Sequence, residues 1–429
     1  MSYSPPSPAH APRSPRPPAR LRTAAKIGAG VAAALLLVSC DDGYGHGFCD
    51  SCFPVTPVES SYGVVSADFN GDGFADIVAL STVFPYQGSA PSNLKTYLST
   101  GDGSFATPTL TPADINPLYA IASDINGDGL PDVVTASFDD GALAIYFNNA
   151  LTPGTFNTPL LLSSPGASQV AVADMNGDGL KDLISADFNV SLFLQTSPGT
   201  FAAPINLYPG GANWVAVGDL NGDGSADVAL TDAVGVKVIM HTGAASATTF
   251  AAPVSVFTQT QNLNLQGANI IAIADVDGDG LNDLVITDPG PTGGMSPTVN
   301  ILIQDPANHG SFLAAVSYPI AQQDIPQSIV MADLQGTGKL DIVIGELHGV
   351  TVLLHDPVNP GKYLAATTYA AAGANGITIA DVNGDGKPDI VVSNGATNPT
   401  VSGVVTTHPG VLLQSTATPG SFGTLEDLP

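Results

Sequence analysis

Seven copies of one nine-residue acidic loop, each set between short β-branched runs, predict an all-β fold built from seven equivalent blades. The copies begin at Asp68, Asp124, Asp174, Asp219, Asp275, Asp333 and Asp381, so their spacings are 56, 50, 45, 56, 58 and 48 residues. That period suits the blade of a seven-bladed β-propeller, four antiparallel strands around a central axis, better than a short solenoid turn. Composition agrees, because 47 Gly and 35 Pro in 429 residues break the chain into short elements, while a hydrophobic fraction of 44% can bury a large core. The same numbers argue against long helices, coiled coil and disorder.

Ahead of the repeats, residues 1–39 hold Arg13, Arg16, Arg20, Arg22 and Lys26 and no acid, and they end in a 12-residue apolar run at 27–38. Twelve residues are too few to span a bilayer. The basic segment, short apolar core and small residue before Cys40 resemble a bacterial lipoprotein signal peptide, with Cys40 as the lipidated first residue of the mature chain. The plainer reading is a cleaved signal with an incidental cysteine. Residues 40–53 form a Gly- and Cys-rich tether in which Cys49 and Cys52 are expected to pair as a local disulfide outside the cytoplasm. Zinc binding with His46 and Asp42 is the alternative, although the spacing matches no standard site, and no βαβ pattern supports a thioredoxin-like centre.

Residues 54–429 carry the propeller. Each loop follows a run of apolar and small residues, such as 170–173 or 270–274, and precedes another, such as 283–287. These runs are β-branched and turn-bounded, as strands are. A third run follows, for example 144–147, 191–194, 237–240, 300–303 and 351–354. A Gly-containing turn then leads to Phe-x-x-Pro segments at 105–108, 156–159, 201–204 and 250–253, read as the fourth strand. Proline confines that strand to the blade's outer edge. The innermost strands are dominated by Ala, Val, Ile and Ser because seven of them converge on one axis. Two segments could close the ring as its last outer strand, residues 53–58 or the chain after Phe422.

In the third loop Asp174, Asn176, Asp178 and Asp182 place oxygen side chains at positions 1, 3, 5 and 9, with a backbone carbonyl available at 7. Hard oxygen donors at alternating positions, with Gly at 4 and 6 letting the chain curl, are what Ca²⁺ requires. The same set recurs as Asp68, Asn70, Asp72, Asp76; Asp124, Asn126, Asp128, Asp132; Asp219, Asn221, Asp223, Asp227; and Asp381, Asn383, Asp385, Asp389. The fifth loop has four carboxylates, Asp275, Asp277, Asp279 and Asp283, and is expected to bind most tightly. The sixth substitutes Gln335 and Thr337, so Asp333 and Asp341 make at best a weak site. A bare Asn-Gly turn carrying solubilising acids is the plainer reading of a single copy. The loops hold 21 of the 38 acidic residues, and crowding them without metal is unfavourable, so about six Ca²⁺ ions are expected to contribute to stability.

These Asp-x-Asn-Gly-Asp-Gly-x-x-Asp loops and Phe-x-x-Pro segments resemble FG-GAP/VCBS repeats, the units of integrin α-subunit propellers. The resemblance implies Ca²⁺-stabilised propellers that serve extracellular adhesion and recognition, or accompany secreted enzymes. The eroded sixth loop departs from the pattern, as does the absence of Arg beyond residue 22.

Past residue 39 the chain has six Lys and no Arg against all 38 acids, which excludes polyphosphate and nucleic-acid partners and favours cations. Catalytic groups are sparse. Only Glu59, Glu346 and Glu426 represent glutamate, the histidines lie on different turns, and no nucleophile elbow or phosphate loop occurs. Glu346 and His348 read as neighbours on one exposed strand face rather than as an acid/base pair. At the end of the disc opposite the loops, the inner strands begin with Tyr62, Tyr119, Gln169, Asn213, Trp214, Asn269, Gln327 and Asn375. Aromatics and amides suit sugar or peptide recognition, the plainer reading being strand-start residues. The expected function is a surface-anchored, calcium-stabilised adhesion module without catalysis, binding extracellular protein or glycan from the bacterial cell envelope and facing periplasm or exterior. The alternatives are a carbohydrate-active enzyme, such as a polysaccharide lyase, or a structural envelope protein.

Overall fold

The computed structural model describes residues 58–84, 92–113, 117–242, 249–258, 270–290, 297–320, 325–371, 373–393 and 408–428. Each repeat folds as one antiparallel four-stranded sheet, and there are seven such sheets. In the second blade Pro117–Ser123, Asp132–Ser137, Ala142–Tyr146 and Leu160–Ser163 pair in chain order, from the axis outwards. The two middle strands are buried at every residue, which explains their continuous apolar sequences, whereas the outermost alternates between half-buried and exposed. Every regular element among the described residues is a strand.

The Phe-x-x-Pro segments lie just before the outer strands and are not the strands themselves. Their aromatics form single bridges, such as Ser99 to Phe105 and Asn148 to Phe156, except in the third blade, where Thr200–Phe201 pairs with Gln195–Ser197 as a short two-stranded ladder. The outer strands start immediately after the proline, at Thr109–Ala113, Leu160–Ser163, Ile205–Tyr208 and Val254–Thr258. Proline has no N–H to donate, so the ladder resumes once it is passed. Pro112 and Pro319 do fall inside outermost strands, where the missing donor faces no partner.

The core is not one mass but seven clusters, each lodged between consecutive blades. Ring closure follows from the same packing. Val64, Ile77 and Tyr97 of the first blade meet Val382, Val391 and Val411 of the seventh, with Leu428 alongside. The Ser66 and Thr378 hydroxyls join the first and last inner strands at 2.7 Å. The seventh blade takes its outer strand from Glu426–Asp427, paired with Gly410 and Val411, so the C-terminal segment completes it. Val58 instead begins the first blade's inner strand, Val58–Ala67. Of the two candidate closures, the structure adopts the C-terminal one.

The sixth blade corrects one further expectation. Glu346 ends the strand Asp341–Glu346 fully buried, accepting the Thr351 hydroxyl at 3.0 Å, while His348 is exposed in the following turn. They share no exposed face, because the second strand of each blade is covered on both sides.

Candidate functional site

The seven loops join the first and second strands of the blades at one end of the disc. In the first, Gly71 and Gly73 adopt φ of 78° and 91°, a left-handed conformation that a side chain would strain. The curl wraps the backbone around Asp68, whose Oδ1 accepts the Gly71 and Asp72 N–H groups at 2.7 and 3.0 Å and whose Oδ2 accepts Gly73 N–H at 2.8 Å. Asn70 Nδ2 donates to Asp72 Oδ2 at 2.8 Å, and Asp72 Oδ1 accepts Phe74 N–H at 2.9 Å. Loops 2, 3, 4 and 7 repeat the position-1 contacts within a few tenths of an ångström.

The ninth residue differs from the other proposed ligands. Asp76, Asp132, Asp182, Asp227, Asp283, Asp341 and Asp389 are all buried, at 0–1% exposure. In each, Oδ2 accepts the N–H of loop position 2, as Asp76 does from Phe69 at 3.0 Å. Oδ1 accepts the N–H of the second residue after the third strand, as Asp76 does from Ser99 at 2.8 Å. The carboxylate therefore fastens the loop to the blade as well as facing its hollow. Burial pushes the pKa of Asp76, Asp132, Asp227, Asp283 and Asp389 up to about 6, against the pull of these backbone N–H groups.

The second residue after the third strand is a loop-anchoring position that sequence reading missed. It is Ser99, Asn148, Gln195, His241, Gln304, His355 and Gln414 in turn, buried in every blade. Where it is an amide, it bonds the carbonyl of loop position 8: Asn148 to Pro131 at 3.0 Å, Gln195 to Lys181 at 2.6 Å, Gln304 to Asn282 at 2.8 Å and Gln414 to Pro388 at 2.9 Å. Asn148 and Gln195 also reach the preceding blade's loop, at the Phe69 and Ile125 carbonyls.

Loop 5 gathers its carboxylates most tightly. Ligand oxygens of Asp275, Asp277 and Asp283 all lie within 4.8 Å of one another, an arrangement that could hold a metal ion. Burial raises the Asp277 pKa, the Asp279 and Asp275 charges add to this, and Lys339 opposes it. Lys339 comes from the sixth loop and donates to the Asp277 carbonyl at 3.0 Å, so the most acidic loop has a cation at its side. The donor set, carboxylates with side-chain and backbone carbonyls and no sulfur, fits a hard divalent ion.

At the opposite end lies a cavity of about 310 Å³ on the axis. Tyr119, Asn213, Trp214, Gln327 and Asn375 line it, as the sequence reading grouped them. Tyr119 and Trp214 meet edge to face, with ring centroids 5.2 Å apart, and Asn375 Oδ1 has no hydrogen-bond partner among the described residues. Gln169 is turned away, spending its amide on Val215 N–H and the Val170 carbonyl. Among the described residues the lining contains no acid, base or histidine. The Tyr62 side chain, Asn269 and the cysteines Cys40, Cys49 and Cys52 lie outside the described residues.

Loop and blade together define a repeat propeller with an acidic loop in each unit. The chain belongs to the FG-GAP-like repeat family, whose model matches residues 68–135, 124–185, 275–344 and 333–392. The fourth loop lies outside those segments yet keeps the same geometry. Among solved structures, the Vibrio cholerae (V. cholerae) biofilm matrix protein Bap1 is similar at 12% identity over 83% of this chain and 87% of that one, with TM-score 0.43. BBS1N, solved in complex with ARL6DN, is similar at 11% identity over 80% of this chain and 94% of that one, with TM-score 0.49. No curated protein sequence matches the chain.

Proposed function

We propose that the chain is a calcium-stabilised binding module that recognises extracellular protein or glycan through its axial cavity and performs no catalysis of its own. The carrying observation is the separation of two chemistries on one disc: acidic loops around one end, and an uncharged cavity lined by Tyr119, Trp214, Asn213 and Asn375 at the other. A ring stacks on the apolar face of a sugar or on a peptide side chain, while free amides pair with hydroxyls or main-chain groups. A cavity of about 310 Å³ lies at the small end of the range for small-molecule sites. General acid/base chemistry needs titratable groups beside the substrate, and the described lining offers only Tyr119, whose pKa burial raises further above its ordinary value.

In this reading the side-chain oxygens at positions 1, 3 and 5 of loops 1–5 and 7, with the buried aspartate at position 9, hold Ca²⁺, which neutralises the carboxylates and fixes the curl. Lipidated Cys40, exposed when the leader is removed, tethers the module to the bacterial envelope, facing periplasm or exterior. The test is binding of the purified chain to an array of neutral and anionic glycans, first in Ca²⁺ and then in chelator. A saturable hit lost in Trp214→Ala supports the axial site; a folded sample that retains its ligand without Trp214 and Asn213 removes it.

A further inference from the structure

The sixth loop has lost the usual donors at positions 3 and 5, yet its backbone has not relaxed. Gly336 and Gly338 keep φ of 69° and 78°, and Asp333 still accepts Thr337 N–H at 2.9 Å and Gly338 N–H at 2.6 Å. Something other than an ion ligand set holds this curl. His355 turns its ring into the hollow: Nδ1 lies 3.0 Å from Asp341 Oδ1 and 3.1 Å from Gln335 Nε2, and Nε2 lies 3.3 Å from Thr337 Oγ1. Gln335 Nε2 also donates to Asp341 Oδ1 at 3.0 Å. One imidazole thus touches loop positions 3, 5 and 9, the positions whose side chains converge on an ion elsewhere.

A fourth substitution makes this possible. In blades 2, 3, 5 and 7 the residue at the His355 position spends its amide on the position-8 carbonyl. In blade 6 that carbonyl, Leu340 O, is taken by the Tyr363 hydroxyl at 3.1 Å. Tyr363 stands where the bridging aromatic of the other blades is phenylalanine, which has no hydroxyl. With the carbonyl satisfied from the other side, the residue at 355 is released to enter the loop.

We propose that Gln335, Thr337, His355 and Tyr363 form a built-in latch that does in blade 6 what the ion does in the others, making this loop closed and metal-independent. The proposal rests on the calcium reading for its contrast with the other loops. Physically, the ring fills the hollow with protein atoms: Nδ1 sits between Asp341 Oδ1 and Gln335 Nε2, and Nε2 sits beside Thr337 Oγ1, whose hydroxyl also reaches Asp333 Oδ1 at 3.4 Å. An amide nitrogen aimed at Asp341 presents a donor where a cation needs an oxygen.

Two measurements separate the latch from the calcium reading. In the first, bound Ca²⁺ is counted by native mass spectrometry for the chain and for Gln335→Asn/Thr337→Asp/His355→Gln/Tyr363→Phe, which gives blade 6 the residues of blades 3 and 7. One additional ion in the variant is expected; an unchanged non-zero count in a folded variant, or a parent count of seven, overturns the latch. In the second, His355→Ala is melted in Ca²⁺ and in chelator beside Asp124→Ala. The His355→Ala loss should be equal in both media, while the Asp124→Ala loss should shrink in chelator. A His355→Ala loss that appears only with Ca²⁺, or no loss in either medium, overturns the latch. If neither protein binds ions, the calcium reading fails, and the His355→Ala loss still decides the latch.

Discussion

The two ends of the propeller are built on opposite rules. At the loop end the same residue types recur in blade after blade, the groups are charged, and nearly every side-chain oxygen is already engaged with backbone N–H groups. At the axial end the residues vary from blade to blade, with Asn recurring at 213 and 375, the lining is uncharged, and Asn375 keeps an oxygen with no partner among the described residues. Repetition marks what every blade needs in order to fold, and variation marks what the whole ring does once. Disturbing the loop end should therefore change stability first, and disturbing the cavity should change binding first.

The largest expected effect is metal removal. At ten times its Kd one ion adds about 1.4 kcal/mol, so six independent ions would add roughly 8 kcal/mol. Excess chelator should then lower the melting temperature by on the order of 10 °C. An unchanged melting curve in chelator would mean that the loops fold without an ion, leaving the backbone contacts of the aspartates at positions 1 and 9 to carry them. Next in size is Asp132→Ala. It strips the partner from the N–H groups of Ile125, Asn126 and Asn148, and three donors left unpaired around a buried site cost about 3 kcal/mol or more. Asp128→Ala, at an exposed position of the same loop, should cost much less in chelator and should narrow the gap between Ca²⁺ and chelator melts. Equal losses for the two variants in chelator would erase the distinction between the fastening and the chelating aspartates.

Trp214→Ala probes the other end. Trp214 is only half-buried and meets Tyr119 edge to face, so truncation should cost roughly 1–2 kcal/mol in stability while abolishing saturable binding of an identified ligand. Calorimetric titration beside a melting curve reads both. Retained affinity with the same stability loss would assign the aromatic pair to packing alone.

The fold was legible because seven offset copies of the loop fix the blade count, and the β-branched runs flanking each fix strand order. What stayed hidden depends on partners far away in sequence. Gln195 looks like any polar residue after a strand until its N–H is found on Asp182 and its amide on the Lys181 and Ile125 carbonyls. A signal for it did exist, since all seven blades carry a polar residue between the apolar third strand and the hairpin, but it emerges only when the repeats are aligned beyond the loop. The Phe-x-x-Pro segments misled for the opposite reason. They are local and recurrent, but proline's missing N–H delays the outer strand past them. The axial residues were found by topology alone, from where the inner strands must begin, and Gln169 shows the limit of that method: its strand starts at the cavity while its side chain is drawn aside by Val215 N–H.

The pH dependence is the test that most directly separates protein from ion at the loop end. Asp76, Asp132, Asp227, Asp283 and Asp389 have pKa values raised from 3.8 to about 6, chiefly by burial. For an acid whose pKa is raised on folding, the folded state binds the proton more tightly, so the stabilising contribution is full below the ordinary value and is lost as pH rises through about 6. Without metal, acidification from about pH 7.5 to 5 should therefore stabilise the chain, and the fall in its net charge of −27 acts in the same direction. With saturating Ca²⁺ the sign reverses, because protons compete with the ion for the same carboxylates. Melting temperature against pH should thus slope in opposite directions in chelator and in Ca²⁺. Parallel slopes would show that the position-9 aspartates are held ionised by their backbone N–H partners alone, and the ion would then be acting only at positions 1, 3 and 5.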